Sequence, residues 1–131
     1  MTWLNRWRQL PASDRSLLRE ALAELSFVAL SLRVRPLATR RVRLAAERQG
    51  ADVQRMSWAV RVAARAVPGA ACLAQAVAMQ RMLARRGHAS TVEFGVAKHH
   101  AGLEAHAWLV CDGQIVIGGE QAGAFVPLEA P

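Results

Sequence analysis

The sequence is poor in cysteine, in acids and in uninterrupted apolar runs, and each shortage removes a class of protein. Two cysteines in 131 residues, Cys72 and Cys111, make no disulfide framework. No N-terminal segment joins a charged start, an apolar run and a small-residue cleavage site, so a reducing cytoplasm is the expected compartment. The most apolar window, Leu17 to Leu32, is interrupted by Arg19, Glu20 and Glu24 and is too short to span a bilayer comfortably; it reads as a core helix. Internal repeats and low-complexity tracts are absent. His88, His99, His100 and Cys111 show no ligand spacing such as C-x-x-C or H-x-x-x-H, so neither a metal nor another cofactor is expected. Ten acids against 17 Lys+Arg, almost all Arg, leave a net charge of +7 and a sequence pI near 11.4. Such a surface attracts acidic partners, whether nucleic acid, anionic lipid or an acidic peptide.

With 53% hydrophobic residues, the length suits one domain over 1–131 with a single modest core. Up to Gly87 the pattern is helical. Ser13 and Asp14 offer a cap, and Leu17, Leu18, Ala21, Leu22, Leu25, Val28, Ala29 and Leu32 recur at the spacing of one buried helix face that stops before Pro36. The Arg-rich stretch Arg33 to Arg48 reads as a shorter helix or connector with a solvated basic face that suits an acidic partner. It closes a helical N-terminal part, 1–50. Asp52 opens a second amphipathic run through Val53, Met56, Val60, Ala63, Ala64 and Val67, broken by Pro68 and Gly69. A third run starts near Ala70 or Ala71 and ends at Gly87, a left-handed cap.

Beyond Gly87 the residues favour strands: "ASTVEFGVA" and "EAHAWLVCDGQIVIGG" are rich in Val, Ile, Phe and Trp. Asp112-Gly113 marks a two-residue hairpin turn, and "KHHAGLE" reads as an exposed loop between the first two strands. The layout is therefore α+β, N-terminal helices packed on a small antiparallel sheet.

Cys72 falls in the first turn of the third run, near unpaired N–H groups and the positive end of the helix dipole, both of which favour a thiolate. A small buried core residue is the competing reading. His106, in "EAHAWLV", lies at the start of a strand with Trp108 and Val110 on its face. A Cys on a helix and a His on a packed strand form the core of thiol catalysis, in which imidazole takes the thiol proton and later protonates the leaving amine.

"CLAQAVAMQRMLARRGHASTVEFGVAK" followed by "AHAWLVCDGQIVIGG" resembles the transglutaminase-like cysteine-protease core of the B2-type leader peptidases of lasso peptide biosynthesis. The resemblance covers about Gly69 to Gly119, is weaker in "LPASDRSLLREALAEL", and rests on the helix-start Cys, the Arg-Arg-Gly helix end and Ala-His-Ala-Trp. It implies a papain- or transglutaminase-like core over 51–131, Cys72 as nucleophile and His106 as general base of a Cys-His-Asp triad. It implies removal of the leader peptide from a ribosomal precursor before macrolactam formation. The implied partners are the precursor leader, a small B1-type leader-recognition protein and the ATP-dependent lasso cyclase, with no nucleic acid and no membrane span; 131 residues leave no room for a recognition domain of its own.

The sequence departs from the family at the third member. Asp112 lies six residues from His106, roughly 20 Å along an extended strand, and is read as a turn residue. With Asp112-Gly113 as the turn, Cys111 faces Gln114, Val110 faces Ile115, Trp108 faces Ile117 and His106 faces Gly119, so Glu120 is the nearest carboxylate. A backbone carbonyl, the Gln121 amide or no orienting group at all are the alternatives. The Cys72 backbone N–H is the expected oxyanion donor, with Gln75 one turn later as a second candidate. Cys111, of opposite parity to His106, is expected to face away from the site. Trp3 and Trp7, beside Arg6 and Arg8, either stack on a partner or cover the end of the helical layer. The competing function is a non-catalytic basic module that binds an acidic peptide or nucleic acid.

Overall fold

The computed structural model describes residues 3–34, 44–99, 102–119 and 126–128. The element order is α1 (Trp3–Gln9), α2 (Ala12–Leu32), α3 (Val53–Ala64), α4 (Cys72–Arg85), β1 (Thr91–His99), β2 (Gly102–Cys111), β3 (Gln114–Ile117) and β4 (Val126–Leu128). The strands form one sheet in the order β3-β2-β1-β4, every neighbouring pair antiparallel. This is the α+β arrangement that the sequence predicts. No helix among the described residues is long and apolar enough to cross a membrane.

The core lies between the helices and one face of the sheet. Leu18, Ala21, Leu25 and Val28 of α2 meet Met56, Ala59, Val60 and Ala63 of α3 and Val77, Met79, Met82 and Leu83 of α4, while the sheet contributes Leu109, Cys111 and Ile117. Alanine at so many contact positions lets the three helix backbones approach closely, and the long methionines fill the gaps that remain. Asp52 caps α3 as expected, its carboxylate accepting the Arg55 N–H at 3.1 Å.

The start of α2 differs from the expectation. Its N-cap is Pro11, whose carbonyl accepts the Arg15 N–H at 3.1 Å, and neither Ser13 nor Asp14 caps it. Asp14 sits inside the first turn, buried and paired to Arg55 of α3, so its charge joins two helices instead of ending one. Residues 44–50, the described part of the basic connector, are not helical. There the Ala45 and Gln49 N–H groups donate to the Ala84 and Arg86 carbonyls, satisfying the exposed end of α4. Gly87 ends the helix at φ +78°, and a Cβ there would meet the Glu47 carbonyl at 2.5 Å.

An ion network ties α2 to α4. Glu24, 8% exposed, accepts from Arg81 and Arg85, and Glu20 accepts from Arg85 and Arg86. Burial pushes the Glu20 carboxyl up, but hydrogen bonds from Arg86 and Arg85, and then their charges, more than offset it and hold it below the usual carboxylate range. A carboxyl with a lower pKa folded than unfolded contributes stability that is complete above the unfolded value and is lost as pH falls through the folded one. The melting temperature should therefore drop as pH falls below about 4.3, and Glu20→Gln should flatten that acid limb in a thermal-melt series. An acid limb unchanged by the substitution would mean that Glu20 does not carry it.

Candidate active site

Cys72 is the first residue of α4 and is half-buried. Pro68 and Gly69, the latter at φ +78°, break the chain after α3, and Ala71 then enters the helix in an extended conformation with no side-chain cap. The Gln75 N–H bonds the Ala71 carbonyl at 3.0 Å, the first turn of the helix. The N–H of Cys72 precedes that bond and has no intrahelical acceptor, as at any helix start. Gln75 turns its amide back, Nε2 donating to the Ala70 carbonyl at 2.9 Å, so this side chain holds the backbone that leads into Cys72.

His106 lies half-buried on β2, opposite Gly95 of β1. Its ring is tilted 35° to that of Trp108 with centroids 6.1 Å apart, and the Trp108 Nε1–H donates to Glu93 at 3.0 Å. Strand alternation places His106 and Trp108 on one sheet face, and Leu109 and Cys111 on the helix-backed face.

By the run of the chain Cys72 and His106 lie at similar heights along the layer but on opposite sides of the sheet. α4 packs on the face of Leu109 and Cys111, whereas His106 stands on the other face, so it is Cys111 and not His106 that shares the side of α4, contrary to the expected parity. The short link 86–90 turns the chain back, so β1 runs opposite to α4, and β2 runs with α4. Gln80 donates to the Ser90 carbonyl at 3.2 Å, beside the Thr91–Val110 pair. From that level Cys72 lies eight residues back along the helix, roughly 12 Å, and His106 four residues back along the strand, roughly 13 Å.

The hairpin turn forms as predicted, with Asp112 at φ +50° and Gly113 at φ +77°, and Cys111 opposite Gln114 and Val110 opposite Ile115. Asp112 pairs with Arg48 at 3.0 Å on the surface. Past Ile115 the expected register fails. A β-bulge gives Val116 no partner, so that Leu109, not Trp108, faces Ile117. Gly118 then leaves the strand at φ +84°. His106 therefore does not meet Gly119 as a strand partner. Instead the Gly118 carbonyl lies 3.0 Å from His106 Nε2. A carbonyl only accepts, so the Nε2–H donates to it. The sequence does not single out Gly118. Its only signal there is the Gly-Gly pair where an alternating strand stops.

Glu120 and Gln121 lie outside the described residues. So does the two-residue link 100–101, all that separates β1 from β2: the expected loop is mostly strand, with Lys98 paired to Leu103 and His99 to Gly102. Cys111 is buried, its S–H directed at the Ala89 carbonyl at 3.5 Å. Burial, and then the neighbouring Asp112 charge, push its thiol up, with Arg48 opposing. His88 accepts from Arg48 Nε at 3.2 Å and bonds the Gln49 carbonyl, tying the connector to the end of α4. Among the described residues no three His, Cys, Asp or Glu side chains group as metal ligands. Trp7 packs against the core beneath Arg19, whose guanidinium lies 5.7 Å from its ring, which covers the end of the helical layer.

Against known protein families, residues 16–130 match the model of the transglutaminase-like superfamily, from α2 through β4. No curated protein and no solved structure matches the chain.

Proposed function

The chain belongs to the transglutaminase-like superfamily, whose members are generally cysteine peptidases or acyltransferases, and from that premise we propose that it is a cysteine peptidase that removes the leader from a lasso peptide precursor before macrolactam formation. What supports the catalytic part is Cys72 as the first residue of α4, together with a histidine, His106, held through its Nε2–H by the Gly118 carbonyl. The resemblance of the segment from Gly69 to Gly119 to B2-type leader peptidases carries the substrate.

In this reading His106 Nδ1 takes the proton of the Cys72 thiol, and the thiolate attacks the scissile carbonyl. The oxyanion is received at the free N–H groups of the α4 start, beginning with that of Cys72. His106 returns the proton to the leaving amine, and water then hydrolyses the thioester, releasing the carboxylate and regenerating the thiol. Because β3 ends at Ile117, the side of β2 next to His106 is bordered among the described residues by the Gly118 turn rather than by a strand. The reading has the imidazole reach Cys72 round this side of β2, since His106 stands on the sheet face away from α4. The peptidase acts with a small leader-recognition protein, and the released core passes to an ATP-dependent cyclase.

The test is cleavage of precursor by the purified protein with and without the recognition protein, followed by mass spectrometry. Presentation of the leader on a partner raises its local concentration to about the millimolar range, so cleavage at low micromolar precursor should rise by roughly tenfold or more when the partner is added. Precursor that stays intact in both arms, while acidic peptide or nucleic acid is bound tightly, would replace this reading with that of a basic binding module.

A further inference from the structure

We infer that the outer face of α2 and of the turn that follows it, from Ala23 to Val34, is a docking surface for an amphipathic helix of a partner protein that carries carboxylates beside its apolar stripe.

A helix that packs on one core needs one apolar face, and α2 has two. Leu18, Ala21, Leu25 and Val28 enter the core. At about 100° per residue, Ala23, Phe27, Leu30 and Val34 fall on the opposite side. All four are exposed, the three larger ones by more than half. Their spacing of four, three and four residues is the seam pattern of a helix that meets another helix. The helical path continues to Val34: Arg33 keeps right-handed helical dihedrals, and the Val34 N–H donates to the Ser31 carbonyl at 3.1 Å. The stripe therefore runs for about 16 Å, roughly three turns. The first half of α2 places Ser16, Arg19 and Glu20 on this side instead, so the apolar stripe is confined to the second half.

The flanks of the stripe are basic. Arg19 and Arg33 border it on one side, and on the other Arg81 of α4 lays its guanidinium over Phe27, 4.7 Å from the ring centroid. A second copy of the chain is a poor occupant, because it brings the same arginines to the same seam and each chain carries a net charge of +7. The segment that follows in sequence, 35–43, has four Arg and no acid. A helix with carboxylates on its flanks meets these cations with opposite charge while its apolar face covers Phe27, Leu30 and Val34.

The register of α2 on α4 places this surface in the molecule. Glu20 pairs with Arg85 and Arg86, and Glu24 with Arg81 and Arg85, so the two helices run antiparallel. At the other end a Cβ on Gly69 would lie 3.9 Å from the Arg33 guanidinium. The end of the stripe is thus beside the start of α4, where Cys72 stands.

The experiment measures, by fluorescence anisotropy, the binding to the full-length protein of two labelled three-heptad peptides with leucine at a and d. One has glutamate and the other lysine at e and g. The glutamate peptide should bind and the lysine peptide should not, and the affinity should fall as salt is raised. Leu30→Glu should weaken binding by roughly tenfold or more, since an apolar anchor is lost from the contact. Leu103→Glu makes the same charge change at an exposed leucine of β2 and should leave the affinity within about twofold. Both leucines are more than half exposed, so the melting temperatures should match that of the parent. Equal losses in the two variants would overturn the inference, because charge alone would then attract the peptide. Equal binding of the two peptides, or no binding of either, would overturn it as well. A dimer in sedimentation that Leu30→Glu dissociates would replace the acidic helix with a second copy of the chain.

Discussion

Cys72→Ser leaves the protein folded and lowers leader cleavage by roughly a thousandfold or more, because a hydroxyl offers almost no nucleophilic anion where a thiol does. The fold tolerates the change: Cys72 is half-buried, stands at the first position of α4 and makes no cap, and serine is at home at a helix start. The matched control is Cys111→Ser. Cys111 is buried on the helix-backed face with its S–H on the Ala89 carbonyl, and serine keeps a donor of similar size there. That variant should melt somewhat lower yet cleave within about threefold of the parent, since strand parity separates Cys111 from His106. Cleavage rates and thermal melts on both variants decide the matter. Equal losses in the two would mean that the β2 register, and with it the assignment of Cys72, is wrong.

His106→Ala has the next largest effect, a loss of roughly 10²- to 10⁴-fold, the range that a positioned general base contributes. Its side chain is half-buried and stands outside the helix-backed core, so the melting temperature should move little. The loss should be greatest at acidic pH, where an isolated thiol is almost wholly protonated, and should narrow as pH approaches about 8.5, where a thiol ionises unaided. A loss that is uniform across pH would make His106 a packing residue.

Much of this was legible in the sequence, for identifiable reasons. The amphipathic spacing of Leu18, Ala21, Leu25 and Val28 marks α2 because only one helix face can enter the core. Asp112-Gly113 fixes the hairpin because both residues must take positive φ. Cys72 could be named as a reactive side chain at a helix start, as the structure has it; His106 was expected at a strand start but lies midway along β2, because the strand extends back through the expected loop to Gly102. The misses were tertiary. Asp14 has the composition of a cap, but the partner that claims it, Arg55, is 41 residues away. The bulge at Val116 leaves no mark in a run of Gln-Ile-Val-Ile, since strand alternation assumes that every residue is paired. That one unpaired residue brings the Gly118 carbonyl to Nε2 of the imidazole, one of the alternatives the sequence leaves open, while Glu120 lies outside the described residues.

The central claim is that His106 activates Cys72, and the most direct measurement of it needs no substrate: the rate at which iodoacetamide alkylates Cys72 between about pH 5 and 9, with and without His106→Ala, in a Cys111→Ser background. If the imidazole takes the thiol proton, His106→Ala slows alkylation at neutral pH by roughly tenfold or more. Identical pH profiles in the two proteins would contradict the claim.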